Sequence, residues 1–187
     1  MRMEATKKLF TVDDVLKMAE AGIFGDEQRI ELIDGEIIEM SPVGDPHIMS
    51  VNRANAFFSE AFGRRALVSV QNPVHLNVYN MPQPDVTVFK PRADFYLSQG
   101  HPYPEDVLLV VEVSDTTLRK DLKVKLPKFA AAGIPEVWIE DLKHRVILVH
   151  RDPEGTHYQI ALTFRPGETI TPLAFPDVTF RVDDLLS

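Results

Sequence analysis

The chain has no cysteine among its 187 residues, so disulfides and thiolate metal sites are excluded, and the composition suits a reducing compartment. Also missing is any apolar run near the ~20 residues needed to cross a bilayer. The first ten residues, Met1 to Phe10, have no apolar core of the kind a signal peptide needs, so a soluble, cytoplasmic protein is the expectation. Tandem repeats, low-complexity tracts and a phosphate-cradling Gly-rich loop are lacking as well. Positive charge is in short supply: 20 Lys and Arg against 28 Asp and Glu leave a net charge of −8. That balance argues against broad, non-specific nucleic-acid binding, which is built mainly from Lys and Arg contacts to phosphate. What is present is apolar material, 44% of the residues, sufficient for one buried core with no composition break to divide it. Residues 1–187 therefore read as one domain.

Two stretches each join a β-branched, apolar run to a single carboxylate: Gln83 to Phe89, holding Asp85, and Asp106 to Ser114, holding Glu112. Both read as buried strands. Alternation puts Asp85 on one face with Thr87, opposite Val86 and Val88, and Glu112 on one face with Leu108 and Val110. A carboxylate inside Leu-Leu-Val-Val-Glu-Val costs several kcal/mol if left unpaired, so it requires a cation, a set of donors or a raised pKa. Asp121 to Gly133 reads as a helix with Leu122, Leu126, Phe129 and Ala130 as its apolar stripe and Gly133 as its C-terminal cap. Lys125 lies beside that stripe, one turn after Asp121, and can point back toward the sheet. Pro127 removes one intrahelical hydrogen bond, so the first turn is expected to be irregular. Ile134 to Glu140 returns as a strand.

Two acids on neighbouring strands and a lysine on the next helix form a device for phosphodiester hydrolysis. The carboxylates hold a hard divalent cation such as Mg²⁺ or Mn²⁺, and the ammonium orients the nucleophile or offsets charge on the phosphate. At these residues the chain resembles the PD-(D/E)XK nuclease superfamily, most closely its Uma branch of bacterial restriction-endonuclease-like proteins. The matching pieces are Glu31 to Pro42, His47, Pro84-Asp85-Val86, Glu112-Val113-Ser114, Asp121 with Lys125, and Ala132 to Ile139, spanning roughly residues 27 to 141. Each piece is short, and their order and spacing carry the resemblance. It implies an α/β fold, a mixed β-sheet flanked by helices in the order helix, three strands, helix, strand, with extra β-hairpins at both ends. It also implies a metal held by Asp85, Glu112 and the Val113 carbonyl, with Lys125, Glu31 and His47 in the catalytic set and DNA as the substrate. One position departs from the general pattern: the lysine two residues after the second acid is replaced by Ser114. The branch resemblance implies that Lys125 takes its place from the helix.

The rest of the chain frames this centre. Thr11 to Gly22, with a capping acid at Asp14, reads as a short packing helix. Arg29 to Met40 reads as a β-hairpin turning at Asp34-Gly35. Glu31 in that hairpin reads either as an accessory acid or as an exposed strand carboxylate. His47 reads either as a group that binds phosphate or positions water, or as a capping or packing residue. Asp45 is the expected cap of a helix from about His47 to Arg65, with Val51, Ala54, Asn55, Phe58 and Phe62 along one side. Ala66 to Leu76 reads as the next strand, with Gln71 within reach of the metal site. Lys90 to Asp106, with three prolines, a glycine, Phe95, Tyr96 and Tyr103, reads as a loop beside the site, either a substrate contact or packed surface. Arg119, Lys120, Lys123, Lys125 and Lys128 cluster near the site, and Arg64 with Arg65 forms a second basic patch. Arg145 to His150 and His157 to Phe164 read as a hairpin turning at Asp-Pro-Glu-Gly. His144, His150 and His157 have no metal-ligand spacing. Two readings compete: a Mg²⁺- or Mn²⁺-dependent endonuclease, dimeric if it cuts both strands, and a catalytically inactive nuclease-like module for protein interaction or assembly.

Overall fold

The computed structural model describes residues 6–25 and 28–186; the first five residues of the polar N-terminal segment lie outside it. Helix α1 (Val12–Glu20) starts at a reciprocal capping box. The Asp14 backbone N–H donates to Thr11 Oγ1, and the Thr11 backbone N–H donates to the Asp14 carboxylate. Strands β1 (Ile30–Ile33) and β2 (Glu36–Glu39) form the N-terminal hairpin, with Asp34 and Gly35 at φ of 52° and 74°. Two successive positive φ values give the turn whose twist matches the strands. Leu32 then joins Val12, Val15 and Met81 in a small core of its own.

Six strands form the main sheet in the order β3-β4-β5-β6-β7-β8. They are β3 (Leu67–Val70), β4 (Val86–Phe89), β5 (Val107–Ser114), β6 (Glu136–Asp141), β7 (Val146–Glu154) and β8 (His157–Phe164). Only β5 and β6 run parallel, as the helical crossover between them requires. Helix α2 (Asp45–Phe62) lays Val51, Ala54, Phe58 and Phe62 on one face, over Val86, Val88, Leu109, Val111 and Trp138. A short strand pair, β9 (Thr169–Ile170) with β10 (Phe180–Arg181), and helix α5 (Val182–Leu186) complete that layer, bringing Phe180 edge-on to Phe58. The other face packs Phe129 and Ile134 against Val110, Val137 and Ile139. Thus β5 is buried on both faces, which explains its near-continuous apolar run.

The crossover is built differently from the single helix expected over Asp121–Gly133. It begins earlier, with α3 (Leu118–Lys120), continues as a π turn over Asp121–Lys125, and returns to α-helix in α4 (Leu126–Ala131). The Leu126 N–H donates to the Asp121 carbonyl, five residues back. Pro127 follows directly, so the wide turn lies where the missing N–H would have interrupted a regular ladder. Gly133, at φ 76°, ends the helix as expected.

Five further expectations are corrected. Gly44 is the N-cap of α2, with Pro46 in the first turn, so Asp45 lies inside the helix; Arg64 and Arg65 fall in a 3-10 turn after it. Asn55 is only half-buried, and Ser50 takes its place on the inner stripe. The strand from Ala66 ends at Val70, because Gln71 adopts φ 53°. A register shift at Val88/Phe89 breaks alternation in β5, so Leu108 packs with Leu109 on the α2 face and does not share a face with Glu112. The last hairpin turns at Gly155-Thr156, with β7 running on through Asp152-Pro153-Glu154.

Candidate active site

Because β4 and β5 are antiparallel, the start of β4 and the end of β5 lie together. Asp85 precedes the first residue of β4, and Glu112 lies two residues before the end of β5. The sheet therefore brings the two acids to one edge. The loop from Lys90 to Asp106 joins the opposite ends of these strands, about 14 Å away at ~3.4 Å per residue, so it is not beside the site. A pocket of about 220 Å³ opens over Asp85, Glu112, Val113, His47 and Lys125, closed on one side by Met40 to Gly44 and on the other by Asp115 to Lys120.

Lys125 is 3% exposed and its Nζ lies 2.8 Å from Glu31 Oε1 and 3.0 and 3.1 Å from the two oxygens of Glu112. The ammonium thus joins the N-terminal hairpin to the central strand. Glu31 is a buried strand residue and not an exposed one; it also accepts from Lys120 Nζ at 2.9 Å and from the Gln83 backbone N–H at 3.1 Å. Lys120 and Lys125 are five residues apart, which on a regular α-helix would separate them by about 140°. The π turn between them brings both to Glu31.

Asp85 is held from three sides. His47 Nε2 is 3.1 Å from Oδ2, the Val113 N–H donates to the same oxygen at 2.9 Å, and Gln71 Nε2 reaches Oδ1 at 3.4 Å. His47 sits on the inner stripe of α2, one turn after the cap, and among the described residues its buried Nδ1 has no hydrogen-bond partner. Ser114, in the position of the displaced lysine, donates to Asp121, which also accepts from Thr117. That pair ties the π turn to the end of β5. The remaining cations divide: Lys128 pairs with Asp34, and Arg65 pairs with Asp177 and lies over Phe175. Arg119 and Lys123 are exposed and line, with Lys120, a second shallow depression beside the pocket.

The charges follow from this packing. Burial opposes charge on Glu31, but Lys125 and Lys120 outweigh it and lower its pKa. Asp85 is likewise lowered against its burial, by His47 and the Val113 N–H. Burial would lower Lys125 too, yet Glu112 and Glu31 raise it, so the ammonium stays charged. Glu112 is raised well above the ordinary carboxylate value, by burial first and then by Asp85, Asp121 and Glu31, which Lys125 only partly offsets. The site is short of positive charge.

Strand β6 carries three buried acids that were not anticipated, Glu136, Glu140 and Asp141. Glu140, in the strand beside Glu112, is fully buried and accepts from Ser50 of α2, while its other oxygen has no hydrogen-bond partner among the described residues; burial pushes it up to about 8. The signal of Glu140 in the sequence is a glutamate directly after the apolar run Val-Trp-Ile, akin to the signal that marked Glu112.

Among the described residues no three His, Cys, Asp or Glu side chains form a ready metal cage. A divalent cation would therefore rely on two carboxylates and a backbone oxygen. The donor chemistry fits a hard cation, because Asp85, Glu112 and the Val113 carbonyl offer only oxygen and the raised Glu112 calls for further positive charge.

Comparison with known proteins places the fold and the family. A solved structure from Anabaena variabilis, described as a putative nuclease belonging to DUF820, superposes with a TM-score of 0.70 at 18% identity, over 95% of this chain and 97% of that one. No curated protein matches significantly in sequence. The model of the Uma2 family, described as "putative restriction endonuclease", matches residues 12–183 and so takes in the hairpin of Glu31, both acidic strands and the π turn. The chain belongs to the Uma2 family, and its role is nuclease-like.

Proposed function

We propose that the chain is a divalent-metal-dependent endonuclease that hydrolyses phosphodiester bonds in DNA. The observation that carries this reading is the Lys125 ammonium, buried between Glu31 and Glu112 in the pocket that Asp85 also lines. Mg²⁺ or Mn²⁺, held by Asp85, Glu112 and the Val113 carbonyl, would supply Lewis-acid stabilisation of the phosphate and a more acidic water. His47, Gln71 and the Val113 N–H hold Asp85 in one orientation. Lys125 stays protonated, so it acts as a donor that orients water or phosphate and offsets developing charge, not as a base. Glu31 positions that donor, and Lys120 at the mouth, with exposed Arg119 and Lys123, meets the DNA backbone.

The test is cleavage of supercoiled and single-stranded DNA at low salt with Mg²⁺ or Mn²⁺, by the wild type and by Asp85→Ala, Glu112→Ala and Lys125→Ala. Metal-dependent cutting lost in each folded variant supports the reading. No cutting, together with no metal binding by calorimetry, favours the inactive module for protein interaction or assembly. The observation on that side is that both Glu112 oxygens already engage Lys125.

A further inference from the structure

Strand β8 is one edge of the six-stranded sheet, and from His157 to Phe164 it contains no proline and no Asp, Glu, Lys or Arg. Proline and charge are the usual means by which an edge strand is kept from pairing with another chain. Among the described residues no strand pairs with its outer side, so a row of backbone N–H and C=O groups faces outward. The other edge, β3, has only four residues. Ile160, Leu162 and Phe164 share the α2 face of β8, opposite Arg151, Val149 and Ile147, with Ala161 and Thr163 on the other, polar face; Tyr158, at the start of the strand, packs on the opposite side of the sheet from Phe164 and donates to the Ile134 carbonyl. The apolar face is incompletely covered: Ile160 and Leu162 are each 42% exposed, while Val149, opposite Leu162 in the ladder, is fully buried.

We propose that β8 pairs antiparallel with β8 of a second copy of this chain, about a two-fold axis through Ala161, joining the two sheets into one. A two-fold axis perpendicular to the sheet returns each face to itself. Centred on Ala161, it sets Ile160 against Leu162 of the partner subunit on the α2 face. Such apolar cross-strand pairs stabilise antiparallel ladders. On the polar face Ala161 meets Ala161 of the partner subunit. Charge also favours a second copy at this place, because chains of net charge −8 repel and β8 joins them without setting acid against acid. The same axis turns one β5 antiparallel to the other, so the two pockets open at opposite edges of the joined sheet. Pairing therefore serves assembly and does not bring two sites onto one duplex.

The test is independent of DNA cleavage and uses the full chain. Sedimentation equilibrium of the wild type at micromolar concentration returns twice the chain mass of 21.1 kDa. Ile160→Lys returns the single mass with an unchanged circular dichroism spectrum, whereas Thr163→Lys, on the polar face, stays dimeric. Because the chain has no cysteine, Ala161→Cys sets two thiols face to face across the axis. Diamide then converts most of that variant to a covalent dimer and leaves Asn52→Cys, on the outer side of α2, monomeric on a denaturing gel. A wild type that is monomeric at every concentration overturns the proposal and leaves the edge to a strand of another protein. A dimer that survives Ile160→Lys, or in which Ala161→Cys fails to cross-link, overturns it equally.

Discussion

Replacing Lys125 by methionine keeps most of the stem and removes the charge that holds Glu31 and Glu112 together. Glu31 retains Lys120 and the Gln83 N–H, but among the described residues Lys125 is the partner of both Glu112 oxygens. The cost therefore falls mainly on Glu112. Removing one member of a buried ion pair costs about 3–5 kcal/mol. Proton uptake by Glu112, already raised by burial, limits the loss to the lower end of that range. In urea the expected loss is ~3 kcal/mol near neutral pH, out of a total of about 5–15 kcal/mol for a domain, or about 6–12 °C in Tm. The pH dependence follows from Glu31. Its pKa is lowered in the folded wild type, so its contribution is present above the ordinary carboxylate pKa and is lost as pH falls through the lowered value. The variant lacks the Lys125 share of that contribution and is relieved when its buried carboxylates protonate, so the gap between the proteins narrows as pH falls. Denaturation curves of equal slope, with midpoints compared at neutral and acidic pH, read this directly. A variant as stable as the wild type at neutral pH, or a gap that widens on acidification, would refute the account of the site as a shared ammonium.

Glu140→Gln keeps an acceptor for Ser50. Because the wild-type carboxyl is raised to about 8, its burial penalises folding increasingly as pH rises from the ordinary carboxylate value toward 8. The variant should match the wild type at acidic pH and exceed it by several kcal/mol at alkaline pH, read from chemical denaturation; equal pH profiles would sink this. Mg²⁺ or Mn²⁺ should raise the wild-type Tm, and Asp85→Asn should abolish the rise, checked by calorimetric titration; a rise that persists in the variant would remove Asp85 from the ligand set. Gly35→Ala should destabilise by about 1–3 kcal/mol, because a Cβ there stands 2.7 Å from Leu9 Cβ at φ 74°, and a neutral result in thermal melts would contradict the turn geometry.

The parts of this protein legible in its sequence are those whose causes lie within a few residues. The capping box of Thr11 and Asp14, the Asp34-Gly35 turn and the cap at Gly133 are local steric and hydrogen-bonding facts. Strands β4, which starts directly after Asp85 and not at Gln83, and β5, which carries Glu112, were legible because burial on both faces leaves a continuous apolar run. An acid inside such a run must be answered, which pointed to Lys125 before its direction was known.

What only the tertiary structure decided depends on groups far apart in the chain. Pro127 announced an irregular turn but not its kind; the π turn that swings Lys120 and Lys125 together acts against a glutamate in a distant hairpin. Strand pairing, not composition, moved the Lys90–Asp106 loop to the end of the sheet remote from the acids. Ser50 and Glu140 meet across 90 residues, and β8 reads as an ordinary strand until the sheet order makes it an edge. By itself the sequence determined local conformation and which charges needed partners. The fold alone decided which partners they found, because burial and proximity are properties of the packed chain.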